Sequence, residues 1–191
     1  MAKVAVVYHS GYGHTAVLAD SVIKGAEAAG AEVTRIAIDG LGADFAALAA
    51  QAGEADALIF GSPTYVGTVS APMKAFMDAT AGIWFHEGWK DKFAAGFTVS
   101  NSFSGDKLMT LQTLSGFAAQ HGMIWISLGV LPGEHAHDNS APNGVNRLGS
   151  FLGMMGQADN VAAEQSPPAG DHQTAFGLGE RVARLTQRFV N

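Results

Sequence analysis

The chain has 191 residues, 15% of them charged, with a formal net charge of −6 and a pI near 5.5. That length fits a single domain, spanning 1–191, with a full core. The acidic balance argues against non-specific nucleic-acid binding, which needs a basic face, and the absence of cysteine excludes thiol catalysis, disulfides, cysteine-ligated zinc and iron–sulfur clusters.

The run Val4-Ala5-Val6-Val7-Tyr8 is continuously apolar, as in a parallel strand buried on both faces. The turn His9-Ser10-Gly11-Tyr12-Gly13-His14-Thr15 follows, and a helix is predicted from about Thr15 to the cap Gly30. A second strand, Glu32 to Ile38, alternates as an edge strand does. Asp44 is placed to cap a short alanine-rich helix ending near Gly53. The third strand, Ala57 to Gly61, leads into Ser62-Pro63-Thr64-Tyr65-Val66-Gly67-Thr68. Ser70 and Pro72 then mark a helix start. Residues 82–91, with Trp84 and Trp89, read as a loop. The fourth strand, Phe93 to Val99, runs into Ser100-Asn101-Ser102-Phe103-Ser104-Gly105-Asp106, and a helix is expected over about Lys107 to Gln120. A fifth strand is expected over Met123 to Leu128, an irregular stretch over Gly129 to Asp171, and a last helix over about Gln173 to Phe189. No apolar run approaches the roughly 20 residues of a membrane helix. No basic-apolar-small leader precedes the first strand, so a cytoplasmic location is expected.

Strands alternating with helices imply a parallel, helix-covered α/β sheet. In the order 2-1-3-4-5, the loops after the first, third and fourth strands meet beside the switch point, where such sheets bind ligands. The first of these loops joins a strand to a helix N-terminus, whose free N–H groups and partial positive charge suit a phosphate. It holds no Lys or Arg and matches neither the Walker A nor the dinucleotide spacing. Thr64, Tyr65 and Gly67 can surround a ring edge, and Tyr65 and Trp84 offer flat faces. These contents suit a planar cofactor with a phosphate tail. Other chemistries lack their residues. There is no Gly-x-Ser-x-Gly elbow and no glycosidase acid pair. His135-Ala136-His137-Asp138 comes nearest to metal-ligand spacing but lacks further partners, so no metal site is expected. Redox chemistry by a bound cofactor remains.

Several motifs in order resemble WrbA-type NAD(P)H:quinone oxidoreductases. They are Met1-Ala2-Lys3-Val4 with Tyr8-x-Ser10-x-Tyr12-Gly13-His14, Ile59-Phe60-Gly61-x-Pro63-Thr64, Gly67, Ser70, Met73-Lys74, Gly82-Ile83-Trp84 and His121-Gly122-Met123. The resemblance covers about Met1 to Gly129, roughly two thirds of the chain. It implies a flavodoxin-like doubly wound five-stranded parallel sheet with helices on both faces. It also implies non-covalent FMN, NAD(P)H as electron donor, a quinone or similar acceptor, and a homodimer or homotetramer. By the same resemblance Ser10, Gly11, Tyr12, Gly13, His14 and Thr15 grip the FMN phosphate, with Tyr12 also bordering the nicotinamide. Pro63, Thr64, Tyr65, Val66 and Gly67 line the ring, and Trp84 walls the substrate pocket. The loop Ser100, Asn101, Ser102, Phe103, Ser104 and Gly105 takes the pyrimidine end, with Phe103 where the family pattern has glycine. Gln120 stands where the family has the first histidine of a His-His-Gly sequence, and Gln120 or His121 is placed to contact the acceptor. The family's insertion after the second strand is missing, and Asn143-Gly144 is the nearest echo of its Gly-Thr-Pro-Tyr-Gly turn.

The function expected is two-electron transfer from NAD(P)H to a quinone-type acceptor by a ping-pong mechanism. A flavodoxin-like one-electron carrier is the alternative, and a flavin-free scaffold a third. Arg147, the only basic residue between Gly129 and Asp171, is weak evidence for a 2′-phosphate contact.

Overall fold

The computed structural model describes residues 1–133 and 144–190. The His135-Ala136-His137-Asp138 motif and Asn143 lie outside the described residues. In chain order the elements are β1 (Lys3–His9), α1 (His14–Ala28), β2 (Glu32–Ile38), α2 (Phe45–Ala52), β3 (Ala57–Tyr65), β4 (Thr68–Val69), α3 (Ala71–Ala79), α4 (Ala81–Phe85), β5 (Phe93–Ser100), α5 (Lys107–Gln120), β6 (Ile124–Trp125), β7 (Met154–Gln157) and α6 (Ala169–Val190).

The main path of the sheet is β2-β1-β3-β5-β6, with every pair along it parallel. This is the flavodoxin-like order expected from the sequence, once the short antiparallel β4 hairpin on β3 is set aside. The apolar runs of β1, β3 and β5 fill the centre because both of their faces are covered. On one face Val4, Val6 and Ile59 pack under α1 and α6 through Leu18, Val22, Leu178 and Val182. On the other, Val7, Leu58 and Phe60 pack under α2, α3 and α5 through Met73, Phe76, Leu114 and Phe117.

The fifth sheet position differs from expectation. Only β6 pairs with the start of β5, at Phe93 and Ala94. The chain then turns away at Gly129, whose φ is 65°. It returns as β7 beside Phe97–Ser100, so two segments in succession fill one strand's place. The consequence is functional, because β7 delivers residues 158–160 to the C-terminal rim of the sheet. Residues 81–85, expected as loop, form α4, since Thr80 O accepts the Trp84 N–H and one Gly does not break so short a helix. The last helix starts at Ala169, directly after Pro167-Pro168, with Pro168 O accepting the Asp171 N–H. Asp44 caps α2 through Ala47 N–H as expected. Ser70 does not use its side chain to cap α3; its own N–H donates to Ser62 Oγ at 3.0 Å.

Candidate functional site

The first loop is shaped almost entirely by its backbone. Gly13, at φ 89°, is the N-cap of α1 and has no side chain with which to cap the helix. Its first turn contains no acidic residue, so the positive end of the helix faces outward unneutralised. Ser10 Oγ accepts the Ala16 N–H at 3.1 Å, closing the turn on itself. His14 Nε2 lies 2.9 Å from Val161 O, an N–H donor contact that ties the loop to the segment after β7. A Cβ on Gly11 would sit 2.4 Å from the Tyr65 hydroxyl, so glycine is what lets Tyr65 lie over the loop. Burial and the nearby Tyr12 raise the Tyr65 phenol above its ordinary pKa, against a Gly11 backbone hydrogen bond that lowers it.

The second loop is a two-residue hairpin. Val66 and Gly67 have φ of 47° and 90° between the paired positions Tyr65 and Thr68, the turn geometry that suits strand twist. A β-branched Val66 in the left-handed region is strained, and its side chain stands fully in solvent beside the site. The Thr64 hydroxyl does not stand free at a ring edge. It is shared with Thr98 Oγ1 at 2.8 Å and Thr110 Oγ1 at 2.7 Å, which fastens the loop to β5 and α5.

The third loop is held by buried charge. Lys107, the first residue of α5, is fully buried, and its ammonium donates to Ser100 Oγ at 3.0 Å and to Ser102 O. Burial pushes this lysine down to about 8. Asp171, 1% exposed, takes a two-pronged contact from Arg147 at 2.8 and 3.0 Å and the Gln157 N–H at 2.7 Å. Burial pushes its carboxyl up, against the Arg147 contact and the Gln157 N–H, which pull it down. Arg147 also reaches Gln157 Oε1 at 3.1 Å, and Gln157 Nε2 donates to Asn101 O and Asp159 Oδ1, each at 2.9 Å. The Arg147 side chain is thus turned inward to Asp171 rather than outward toward a 2′-phosphate. Its guanidinium lies 5.7 Å from the centre of the half-exposed Phe103 ring.

Together the loops enclose a cavity of about 410 Å³ at the ends of β1, β3 and β5. Of the residues expected there, Tyr12, His14, Thr15, Pro63, Thr64, Tyr65, Ser100 and Asn101 line it. Ser10, Gly11 and Gly13 belong to the first loop without lining the cavity, and neither Val66 and Gly67 nor Ser102, Phe103, Ser104 and Gly105 line it. Sequence reasoning missed Ala158, Asp159 and Asn160, which form the remaining wall with Val99. Four residues of β7 carry too little periodicity to announce a strand inside an irregular stretch.

Trp84, Gln120 and His121 gather elsewhere. They line a separate cavity of about 400 Å³ between α3, α4 and α5, with Lys74, Asp78 and Phe117. His121 is 5% exposed, its Nε2 is 2.9 Å from Thr80 Oγ1, and its ring packs against Trp89 and Phe117 at 4.8 Å. Burial lowers its pKa. Trp89 is a core residue among Phe60, Phe76 and Phe117.

The first cavity fits FMN. Its volume is in the range of cofactor pockets. A 15-residue helix opens onto it, with no side chain at its N-cap residue, Ser10 Oγ taking only the Ala16 N–H, and no carboxylate in the first turn. Pro63, Val99, Ala158 and two tyrosine rings supply apolar and flat walls.

Residues 2–138 match the family model described as NADPH-dependent FMN reductase. The chain belongs to that family. Flavodoxin FldP of Pseudomonas aeruginosa is 39% identical over 188 residues, covering 98% of both chains. An NAD(P)H dehydrogenase (quinone) of Geotalea daltonii is 31% identical over 207 residues, again covering 98% of each. The crystal structure of the flavodoxin, WrbA-like protein from Agrobacterium tumefaciens superposes with a TM-score of 0.76 at 39% identity, covering 98% of this chain and 99% of that one. Among the described residues no helix is long and apolar enough to cross a membrane. No group of three or more His, Asp or Glu side chains gathers among them in a metal-binding arrangement.

Proposed function

We propose that this chain is an FMN-dependent oxidoreductase that takes two electrons from NAD(P)H and gives them to a quinone or similar acceptor, one after the other in the same cavity. The observation that carries the reading is the convergence of a helix N-terminus and two further loops on one cavity at the switch point between β1 and β3. When bound, FMN supplies the electron-accepting ring, and the protein supplies binding, orientation and electrostatics.

The N–H groups at the start of α1, with Thr15, hold the phosphate. Pro63, Thr64 and Tyr65 flank the ring, made rigid by the hydroxyl chain through Thr98 and Thr110. Tyr12, 80% exposed, borders the entrance where donor and acceptor come and go. Backbone N–H groups at Ser100 and Asn101, which line the cavity, would stabilise negative charge developing on the bound ring, as an oxyanion hole does. Trp84 and Gln120 lie in a second cavity of the same chain; a homodimer or homotetramer, as the family resemblance implies, would bring one copy's α4 region to its neighbour's first cavity.

Adding FMN to the purified protein and recording its absorption, then assaying NADH and NADPH with benzoquinone, tests the reading. The expected result is a yellow holoprotein whose double-reciprocal plots are parallel at varied acceptor. The one-electron carrier reading is favoured by one observation, the relative named Flavodoxin FldP at 39% identity. Bound FMN with no NAD(P)H oxidation moves the assignment to that reading, and a protein that binds no FMN defeats both.

A further inference from the structure

We infer that Lys107 acts on the flavin from behind the cavity wall: its buried ammonium, seated against Ser100, favours the cofactor once the ring carries negative charge. The inference rests on the FMN reading above and adds a residue that does not line the cavity.

Several observations converge on it. Lys107 is placed against its own preferences. It is fully buried, although lysine is almost never fully buried unless paired. It also opens a helix, where the macrodipole disfavours a cation. Its two hydrogen-bond partners, Ser100 Oγ and Ser102 O, are both uncharged. Among the described residues the only buried carboxylate, Asp171, is already paired with Arg147. Lys107, Arg147 and Asp171 therefore leave one positive charge in excess. Of the other acids near the cluster, Asp106 precedes Lys107, is exposed and makes no side-chain cap bond to α5; Asp159 takes only the neutral Gln157 Nε2 and is exposed to water at the cavity wall, so the excess is one of the buried groups alone. The excess charge lies one serine away from the cavity, because Ser100 lines it. Space is kept for this contact: a Cβ on Gly105 would lie 2.2 Å from Ser100 Oγ.

A buried, unbalanced cation behind the wall of a binding cavity calls for an anion in that cavity. The phosphate has its own site at the start of α1, so the third loop faces the ring. Uptake of two electrons and one proton, which NAD(P)H delivers together as hydride, leaves the ring with one negative charge. That charge is absent from the oxidised ring, so Lys107 distinguishes the two states. Its lowered pKa near 8 keeps it mostly charged at neutral pH and allows it to lose the proton in a more alkaline solution.

The test uses full-length protein loaded with FMN. Lys107→Met removes charge and hydrogen bonds; Lys107→Gln removes charge but keeps a donor toward Ser100. Both are expected to bind oxidised FMN nearly as wild type does, and reduced FMN about tenfold more weakly, which lowers the two-electron midpoint potential by about 30 mV. Wild type needs no substitution to be tested. Its potential is expected to fall more steeply with pH above about 8, where reduction draws a proton onto Lys107, and both variants are expected to lose that extra slope. Unfolding of the apoproteins in urea separates function from packing, since replacing a buried, unbalanced charge by an apolar side chain is expected to leave stability equal or raise it. Equal loss of affinity for both flavin states, or full recovery of the potential in Lys107→Gln, reduces Lys107 to a loop prop and overturns the inference. An unchanged slope through pH 8 in wild type does the same. Failure of wild type to bind FMN at all overturns the FMN reading itself.

Discussion

The first and third loops bound the same cavity, yet they are kept in shape by different physics. The first loop uses few charges: Ser10 bonds Ala16 six residues on, Gly13 supplies the left-handed cap position, His14 makes the one distant tie, to Val161 O, and no lysine or arginine takes part. The third loop is held by ionised side chains, Lys107 at the start of α5 and, behind it, the Arg147–Asp171 pair joined through Gln157, all largely buried. A local turn carries its own instructions and tolerates change around it. A loop held by a buried charge network depends most on its paired members, because a charge left without its partner in a low-dielectric interior is costly.

The largest expected effect follows from that dependence. Asp171→Asn leaves Arg147 without its counter-charge and is expected to cost about 3–5 kcal/mol in urea unfolding. A loss below about 1 kcal/mol would break the contrast, since it would make the network no more demanding than an exposed pair. Gly11→Ala acts on the other side. The new Cβ meets the tip of Tyr65, which can swing away, so stability is expected to change by no more than about 1 kcal/mol. FMN affinity is expected to fall about tenfold as Tyr65 leaves its place, equivalent to about 1.4 kcal/mol by fluorescence titration. Val66→Asn sharpens the point about local loops. Asparagine tolerates the left-handed region, so relief of strain is expected to raise stability by about 1 kcal/mol in thermal or urea unfolding.

The smallest effect gives the background against which the two loops are judged. His121 lies outside both, and burial holds its folded pKa below the ordinary 6.5. Below that pH the unfolded chain binds a proton the folded chain refuses. Its contribution is therefore complete above 6.5 and is lost as pH falls toward the folded value. His121→Gln is expected to flatten the decline of unfolding free energy as pH falls below the ordinary 6.5. His9, lowered by the same cause, retains part of the slope.

Much of this molecule is written locally. Apolar runs at Val4–Tyr8, Ala57–Gly61 and Phe93–Val99 determine buried parallel strands by their composition alone, and the helices between them restrict the strand order. Turn chemistry at Ser10–Thr15 announces a helix N-terminus open to an anion, because glycine and hydroxyl residues act within a few positions of themselves. Tertiary structure alone decided the rest. It split the fifth strand in two and brought Asp159 and Asn160 to the cavity. It turned the Thr64 hydroxyl toward Thr98 and Thr110. It set Arg147 and Asp171, 24 residues apart, beside Lys107. Hydrogen bonds and charges buried by packing have no period in sequence; which polar groups find each other depends on where the chain returns, and that is settled only when the core closes.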